Sequence, residues 1–255
     1  MHHDTLSQLV TLSNHLGRPE LDYVILGEGN TSARADANSF WVKASGTELR
    51  TITADGFVQV YFEPILRLLE GSALTDQEIK TRVNEAKVDA SVALQPSVET
   101  MLHALCLQLG GVNFVGHTHP TAVNALTCSQ GFERALAGRL FPDEIVVCGV
   151  APLLVPYTDP GVPLARQVRD LLQKYLDNYG EPPKVVLMQN HGFIALGGTP
   201  QQVENITAMG VKVARILLGT YAAGGPRFLT SKDVDRIHTR PDEHYRRQQL
   251  GLNQA

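Results

Sequence analysis

Apolar residues recur along this chain in two patterns, one with the three- to four-residue spacing of helices and one of short continuous runs. The helical spacing, together with capping residues, predicts helices that begin near Asp4, Thr75, Gln95, Thr121, Pro163 and Thr199. The short runs predict strands at residues 23–26, 40–43, 112–115, 144–150, 152–156, 184–189 and 193–196. Because strands and helices intermix without a strict βαβ rhythm, the pattern favours an α/β fold with a mixed sheet covered on both faces over a TIM barrel.

Several of these helices carry specific signals at their ends. Asp4 is suited to cap a first helix that stops at Gly17, and Thr75 with Glu78 has the pattern of a capping box. The helix near Gln95 has an apolar stripe, which we expect to face the core, formed by Val98, Met101, Leu102, Leu105 and Leu109. The polar tail from about residue 225 predicts a peripheral helix. Without repeats or a linker, residues 1–255 are expected to form one domain.

Composition and charge exclude several classes of protein. The chain has 255 residues, of which 43% are hydrophobic and 19% charged, and this suits a globular domain with a sizeable core. A formal net charge of −4 without a basic cluster argues against a nucleic-acid partner. No apolar stretch approaches the roughly 20 residues of a membrane helix, and the first residues do not resemble a secretory signal. Three cysteines in apolar contexts are expected to be buried and reduced, which favours a cytoplasmic protein.

The most informative motif is VGHTHP at residues 115–120, where two histidines follow an apolar run. Side chains alternate between the faces of a strand, so His117 and His119 project to the same side and can converge on a metal ion. His191 lies in an Asn-His-Gly break between two predicted strands, a position where site residues collect. A lone histidine there has an ordinary structural interpretation, but two neighbouring buried imidazoles need a partner. The pair therefore favours a metal site.

A carboxylate and two glycine turns add further candidates. Glu99 falls in the first turn of its predicted helix, where it would stabilise the helix dipole or act chemically, and His103 one turn later could hydrogen-bond to it. The turns Gly-Glu-Gly-Asn at 27–30 and Ala-Ser-Gly-Thr at 44–47 could wrap an anion with backbone N–H groups. Neither turn has the spacing of a nucleotide-binding loop.

Taken together, the motifs GNTSAR, KASGTEL, PSVETMLH, HTHP, VPYTDPG and NHG resemble the class II aldolase/adducin family, in order and in approximate spacing. The resemblance runs from about Leu9 to Gly219, and two of the motifs are especially similar to aldolase domains fused to a dehydrogenase. It implies a three-layer α/β/α sandwich around a mostly antiparallel mixed sheet. It also implies a homotetramer with active sites between subunits.

The same resemblance implies roles for particular residues. One divalent metal per chain, most often Zn²⁺, would be bound by His117, His119 and His191, with Mn²⁺, Co²⁺ or Fe²⁺ as alternatives. Glu99 would be the catalytic acid/base and a metal ligand in the absence of substrate, and Tyr157 would donate a proton in a neighbouring subunit's site. The implied phosphate-binding residues are Gly29, Asn30, Ser45, Gly46 and Ser97. Departures from the family pattern are Val98, which replaces a second serine, together with Lys43 and Glu28.

These residues suit one kind of chemistry. Three neutral nitrogens leave a dication with open coordination positions, as in catalytic sites, and such an ion stabilises an enediolate. A neighbouring carboxylate can move the proton on carbon. We therefore expect a metal-dependent lyase that cleaves a small sugar or sugar phosphate by a retro-aldol reaction. A 4-epimerase, a decarboxylase or a dehydratase would use the same site, and a non-catalytic adducin-like interaction module is the alternative from another class.

Overall fold

The structure is a computed structural model that describes residues 2–71, 74–242 and 245. Within these residues one mixed sheet has the strand order β3-β2-β1-β4-β7-β6-β5. The strands are β1 (Asn30–Arg34), β2 (Ser39–Lys43), β3 (Phe57–Tyr61), β4 (Phe114–Thr118), β5 (Leu153–Val155), β6 (Val185–Met188) and β7 (Gly192–Gly197). Only β5 and β6 pair in parallel among them, so the sheet is mostly antiparallel, as expected.

Helices cover both faces of this sheet, which confirms the three-layer architecture. They are α1 (His2–Leu16), α2 (Phe62–Arg67), α3 (Asp76–Glu85), α4 (Thr100–Leu107), α5 (Thr121–Thr127), α6 (Phe132–Leu136), α7 (Pro142–Cys148), α8 (Val162–Tyr179), α9 (Pro200–Ala222) and α10 (Ser231–Thr239). Alternate residues of β7 enter different cores: Ile194 packs in the core that includes α4 and α8, and Phe193 in the core that includes α1, α5 and α9. The two-residue period of the strand thus builds two apolar layers from one sheet.

Most of the longer elements lie where the sequence predicts them. The capping box at Thr75 is present: its hydroxyl accepts from the backbone N–H of Glu78, whose side chain accepts from the backbone N–H of Thr75. The predicted peripheral helix is α10, which packs against α7, while residues 243–244 and 246–255 lie outside the described residues. The first helix begins at His2, so Asp4 lies inside it rather than capping it.

The prediction of a strand at residues 144–150 is wrong. Residues Pro142–Cys148 form the helix α7, with Pro142 in the first turn and Asp143 and Glu144 beside the positive end of the helix dipole. Ile145, Val146 and Val147 are all buried, so the run shows no helical periodicity and its β-branched residues resemble a buried strand. Residues 23–26 form no strand either: Ile25 and Leu26 are exposed, and Leu26 has a left-handed backbone.

The helix that was predicted near Gln95, with Glu99 in its first turn, begins later than expected. Backbone hydrogen bonds from Ser45 to Gln95 and from Ser97 to Lys43, with a bridge between Ala44 and Pro96, extend β2 alongside residues 95–97. These bonds hold residues 95–97 beside the strand, so α4 begins at Thr100 and Glu99 occupies its N-cap position instead of its first turn. Val98 is 68% exposed and does not belong to the apolar stripe.

Two general expectations about the chain can be compared with the described residues. None of the helices in the described part of the chain has the length and apolar character needed to cross a membrane. Cys106, Cys128 and Cys148 are all free thiols. Cys106 and Cys148 are buried, as expected, but Cys128 is exposed just beyond the end of α5, so the expectation of three buried thiols is wrong for this residue.

Candidate metal centre

The three candidate histidines lie at one end of the central strand pair. His117 lies on β4 and His119 follows two residues later, just past the end of the strand. His191 lies in the turn between β6 and β7. Because β7 pairs antiparallel with β4, Phe193 lies opposite Thr118, and the turn that carries His191 is brought beside the His-x-His motif. Strand pairing therefore brings together histidines that are more than 70 residues apart in the sequence.

The imidazole nitrogens and one carboxylate converge on a small volume. The Nε2 atoms of His117 and His119 are 2.9 Å apart, and one ligand atom from each of the three histidines lies within 4.8 Å of the others. Glu99 reaches the same volume from the N-terminus of α4: its Oε1 lies 3.1 Å from His191 Nε2, and its Oε2 lies 3.4 Å from His117 Nε2. The structure thus brings together all four residues that the sequence predicted at the metal.

Local contacts orient the histidine rings. His117 Nδ1 lies 3.0 Å from the backbone carbonyl of Phe193, to which it can only donate, and this places the lone pair of the neutral ring on Nε2, toward the cluster. Gly192 lets the turn approach so closely, since a Cβ atom at this position would lie 2.6 Å from His119 Cδ2. Neither Phe193 nor Gly192 was predicted from the sequence to belong to the site. The glycine directly after His191 could have indicated a close approach at this turn.

The residues present fit one divalent cation. Tetrahedral coordination with metal–nitrogen distances near 2.1 Å places two ligand nitrogens about 3.4 Å apart, close to the spacing of His117 and His119 Nε2. Glu99 is buried, yet its Oε1 has no hydrogen-bond partner among the described residues. A buried carboxylate oxygen without a donor is costly, and a cation beside it would remove that cost. Three imidazoles and a carboxylate do not distinguish Zn²⁺ from Mn²⁺, Co²⁺ or Fe²⁺.

Burial keeps the imidazoles of His117 and His119 neutral, the state in which histidine binds a metal. Burial lowers the pKa of His117 to about 4, partly opposed by Glu99, and it lowers the pKa of His119 to about 4 as well. For Glu99, burial by itself raises the pKa, but the nearby imidazoles of His117 and His191 and the hydrogen bond from Asn30 outweigh it and hold the pKa well below its ordinary value. At neutral pH the cluster therefore offers neutral nitrogens from His117 and His119 and one ionised carboxylate.

A second group of polar side chains hydrogen-bonds to Glu99 or to the residue that contacts it. Asn30 Nδ2 donates to Glu99 Oε2 over 2.7 Å, and it also lies 3.3 Å from Ser97 Oγ. The sequence predicted a hydrogen bond between His103 and the Glu99 carboxylate, and this prediction is wrong. The two ring nitrogens of His103 contact Asn30 Oδ1 and Ser32 Oγ instead. Ser32 was not recognised from the sequence, although the alternation of Asn30 and Ser32 on one face of β1 was the available signal.

Two of the predicted anion-binding residues, Asn30 and Ser97, hydrogen-bond to Glu99. Gly29, with a φ of +67°, precedes Asn30 and packs against the carbonyl of His117, where a Cβ atom would lie 2.6 Å away. Ser45 and Ser97 are brought together by the backbone bonds between residues 43–45 and 95–97, and Gly46 has a φ of +81° with open space beside it. Lys43 is buried at the end of β2 and donates to the carbonyl of Gly27. Burial lowers the pKa of Lys43, and the nearby Glu99 partly opposes this shift.

Tyr157 lies apart from this cluster. It follows β5 at the edge of the sheet, is 57% exposed, and its hydroxyl donates to Asp159 Oδ1 over 3.3 Å. Its backbone N–H donates to Gln189 Oε1, which ties the segment to the strand that leads to His191. Within the described residues the tyrosine hydroxyl therefore contacts its own turn rather than the histidines.

An α/β/α sandwich with a three-histidine site at one end of its sheet defines a class of enzyme folds that can hold a divalent cation. Within this class, the chain belongs to the family described as Class II Aldolase and Adducin N-terminal domain, whose profile matches residues 7–218. Members of the family include aldolases, decarboxylases and epimerases. The family resemblance found in the sequence is confirmed.

Two curated proteins are similar to this chain in sequence. The chain is 27% identical over 204 residues to a protein of Bacillus subtilis (strain 168) that is named as the uncharacterized oxidoreductase YuxG. The match covers 77% of this chain and 27% of that protein. It is 34% identical over 113 residues to the 3-oxo-tetronate 4-phosphate decarboxylase of Escherichia coli (strain K12), covering 44% of this chain and 50% of that protein. The chain therefore spans only about a quarter to a half of the length of these two curated relatives.

A solved structure supports the fold. L-fuculose 1-phosphate aldolase superimposes with a TM-score of 0.68 at 18% sequence identity, over 92% of this chain and 94% of that one. At this identity the similarity establishes the architecture, and the chemistry must be argued from the site itself.

Proposed function

We propose that this protein is a metal-dependent lyase that cleaves a small sugar or sugar phosphate by a retro-aldol reaction. The observation that carries the proposal is the convergence of His117, His119 and His191 with Glu99, an ionised carboxylate whose Oε1 has no hydrogen-bond partner in the described part of the chain. A non-catalytic interaction module has no need of such a set. The complete set therefore favours an enzyme over the adducin-like alternative.

Each residue has a chemical role in this proposal. A divalent cation held by the three histidines would supply a Lewis acid that stabilises the negative charge of an enediolate. Glu99 would move the proton on the carbon next to the carbonyl, because its carboxylate is ionised and can accept that proton. Asn30 would hold the carboxylate in position through the 2.7 Å hydrogen bond to Oε2.

An anionic group on the substrate would bind beside Glu99. We assign this role to Gly29, Asn30, Ser45, Gly46 and Ser97. In support, backbone bonds hold Ser45 beside residues 95–97, and Asn30 Nδ2 lies 3.3 Å from Ser97 Oγ. The family favours sugar phosphates. The absence of a serine at Val98 leaves a carboxylated or unphosphorylated sugar as the alternative substrate.

Decarboxylation is the second candidate reaction. The Escherichia coli relative, 34% identical over 113 residues, is named as a decarboxylase of a 3-oxo-tetronate 4-phosphate. Loss of carbon dioxide from a 3-oxo acid also leaves an enediolate or enolate, which the same cation would stabilise. The site geometry therefore serves both reactions, and the product separates them.

We further propose a homotetramer in which Tyr157 of each chain completes a neighbouring site. The support is that Tyr157 is exposed and bonded only to its own turn through its hydroxyl, so that it is available to another subunit. There it would donate a proton to the leaving oxygen. The metal proposed is Zn²⁺, one ion per chain.

The reaction is tested by incubating the metal-loaded protein with ketose 1-phosphates, ketose 5-phosphates and 3-oxo sugar acids. Aldehyde, carbon dioxide and epimerised sugar are measured separately, by coupled reduction, carbonate capture and chromatography. We expect aldehyde release from a ketose phosphate; carbon dioxide from a 3-oxo acid would select the second candidate. Absence of any product across the panel would favour the non-catalytic module.

Elemental analysis tests the metal independently of the substrate. We expect close to one divalent ion per chain after gentle purification, and loss of most of it in His119→Ala. His238→Ala is the matched control, because His238 lies beside Glu181, far along the chain from the cluster. Full metal content in His119→Ala would show that the ion binds elsewhere.

A further inference from the structure

Four buried polar side chains form a continuous row that ends at Glu99. Ser32 Oγ lies 2.6 Å from His103 Nδ1, His103 Nε2 contacts Asn30 Oδ1, and Asn30 Nδ2 lies 2.7 Å from Glu99 Oε2. Ser32 and His103 are completely buried, and Asn30 and Glu99 are nearly so. Buried polar groups far from water are retained only when each has a partner, so this row must be satisfied from one end to the other.

Chemistry fixes the direction of every hydrogen bond in the row. Ionised Glu99 only accepts, so it requires the amide nitrogen of Asn30, and the Asn30 carbonyl oxygen must then face His103. A carbonyl oxygen also only accepts, so His103 must carry its proton on Nε2. The neutral ring then accepts at Nδ1, and the Ser32 hydroxyl donates there. The row therefore runs from Ser32 through His103 and Asn30 to the carboxylate.

Local geometry explains why these residues meet. Asn30 and Ser32 are two residues apart on β1 and project from the same face of the strand, toward α4. His103 lies one turn after Glu99, and its backbone N–H donates to the Glu99 carbonyl over 3.1 Å. The imidazole thus lies between the two strand side chains, with one ring nitrogen bonded to each. The alternation of side chains along β1 places Asn30 and Ser32 on one face, and α4 places His103 in contact with both.

We propose that His103 is a positioning residue: by fixing the orientation of the Asn30 amide, it holds the Glu99 carboxylate in place beside the three-histidine cluster. Asn30 occupies Oε2, so Oε1 remains the oxygen without a protein donor, 3.1 Å from His191 Nε2. This inference rests on the proposed role of Glu99 at the metal. It adds the source of that residue's orientation.

This role requires that His103 carries its proton on Nε2, where it donates to Asn30 Oδ1. Without the donor at Nε2, the Asn30 carbonyl oxygen loses its partner, and only the contacts of Nδ2 with Glu99 and Ser97 hold the side chain in place. Glutamine at position 103 can place an amide N–H near the position of Nε2 and should preserve the row. Leucine fills a similar volume but donates nothing, so it leaves Asn30 without its orienting contact.

The first experiment measures Zn²⁺ affinity by competition with a chelating dye, with no substrate present. We expect His103→Leu to weaken Zn²⁺ binding by about 10- to 100-fold, the usual effect of removing a partner behind a metal site, and His103→Gln to remain within about 3-fold. If His103 acts through Asn30, adding His103→Leu to Asn30→Ala causes little further loss. Multiplicative losses in the double variant would overturn the inference and indicate a general packing role.

The second experiment needs no variant. Nitrogen-15 NMR of the wild-type protein labelled at histidine reports which ring nitrogen of His103 carries the proton. We expect the Nε2–H tautomer, with a hydrogen-bonded Nδ1; an Nδ1–H tautomer would overturn the proposal even if His103→Leu does not fold.

Failure of this inference is distinguishable from failure of the proposed function. Glu99→Gln with normal turnover and normal Zn²⁺ affinity would remove the role of Glu99 itself. Strong losses in Glu99→Gln together with wild-type behaviour of His103→Leu would leave the proposed function in place and remove only the positioning role of His103.

Discussion

At the scale of single residues, the chemistry of this protein depends on burying ionisable groups in the form that the site needs. His103 and His117 are fully buried, and burial lowers the pKa of each to about 4. Glu99 is held ionised by the nearby imidazoles of His117 and His191 and by the hydrogen bond from Asn30. Neutral imidazoles and an ionised carboxylate are the states that bind a cation and accept a proton from carbon.

Glu99 gives the most direct test at this scale. Glutamine at position 99 keeps the shape of the side chain but cannot ionise, so the loss of an acid/base should lower turnover by a factor of about 100 to 10,000. A carboxylate that merely stabilises a helix N-terminus contributes only about 0.3–1 kcal/mol to stability. Turnover and thermal unfolding of Glu99→Gln separate the two roles. Near-normal turnover with slightly lower stability would contradict the catalytic role.

The buried histidines also predict how stability depends on pH. The unfolded chain binds protons at histidine near pH 6.5, whereas folded His103 and His117 bind them only near pH 4. Between these values the unfolded state holds more protons, so the free energy of unfolding of the metal-free protein should fall as pH falls. The slope is about 1.4 kcal/mol per pH unit for each such histidine.

Urea unfolding of the metal-free protein at several pH values between about 7 and 5 measures this slope. His103→Gln removes one titrating group and should make the slope shallower by one histidine's share. A stability that does not change over this range would contradict the neutral buried state.

At the scale of elements, the site depends on how closely the turn before β7 approaches the end of β4. Gly192 begins β7, and a Cβ atom there would lie 2.6 Å from His119 Cδ2, 2.8 Å from the Thr118 carbonyl and 3.1 Å from His117 Cε1. These atoms belong to two of the proposed metal ligands, His117 and His119, and to Thr118 between them. The absence of a side chain at this position therefore allows the two elements to form one cluster.

Gly192→Ala should weaken metal binding, because the added methyl group displaces both histidine rings. We expect a loss of about 10- to 100-fold in Zn²⁺ affinity, similar to the disruption of other groups that orient metal ligands. Gly110→Ala is the matched control, since Gly110 has no atom within 4 Å of an added Cβ. Equal affinities in the two variants would show that the turn has room to move.

Elements also show where sequence patterns suffice. The strands β6 and β7 and the helices α8 and α9 lie close to their predicted positions, because apolar runs and caps are local signals. The strand β3, and the short helices α2 and α6, were not predicted. The start of α4 was misplaced because backbone pairing of residues 95–97 with β2, a contact distant in sequence, prevents an earlier start.

At the scale of the whole molecule, His117 lies on the central strand β4 and His191 in the turn before β7, while Tyr157 lies beyond the edge strand β5. If Tyr157 completes a neighbouring site, activity belongs to the oligomer rather than to the single chain. The tyrosine hydroxyl, bonded here to Asp159, would then leave that contact on assembly or share it.

Subunit mixing tests this shared site. Tyr157→Phe and His119→Ala should each be inactive alone, and mixing them under conditions that exchange subunits should restore part of the activity. Recovery occurs because some sites then combine an intact metal centre with a neighbour's tyrosine. Confirmed exchange without recovery would contradict the shared site, as would full activity of Tyr157→Phe. Mixing without exchange provides the control.

The sequence by itself determined the features that depend on neighbours along the chain. His117 and His119 share a face because side chains alternate along a strand, and the order of motifs identified the family. Only the tertiary structure decided that Asn30, and not His103, contacts the Glu99 carboxylate, and that Pro142–Cys148 is a helix. The first depends on the docking of α4 against β1, and the second on a segment buried on all sides. Neither arrangement leaves a periodic signal in the sequence, because both are set by contacts between distant segments.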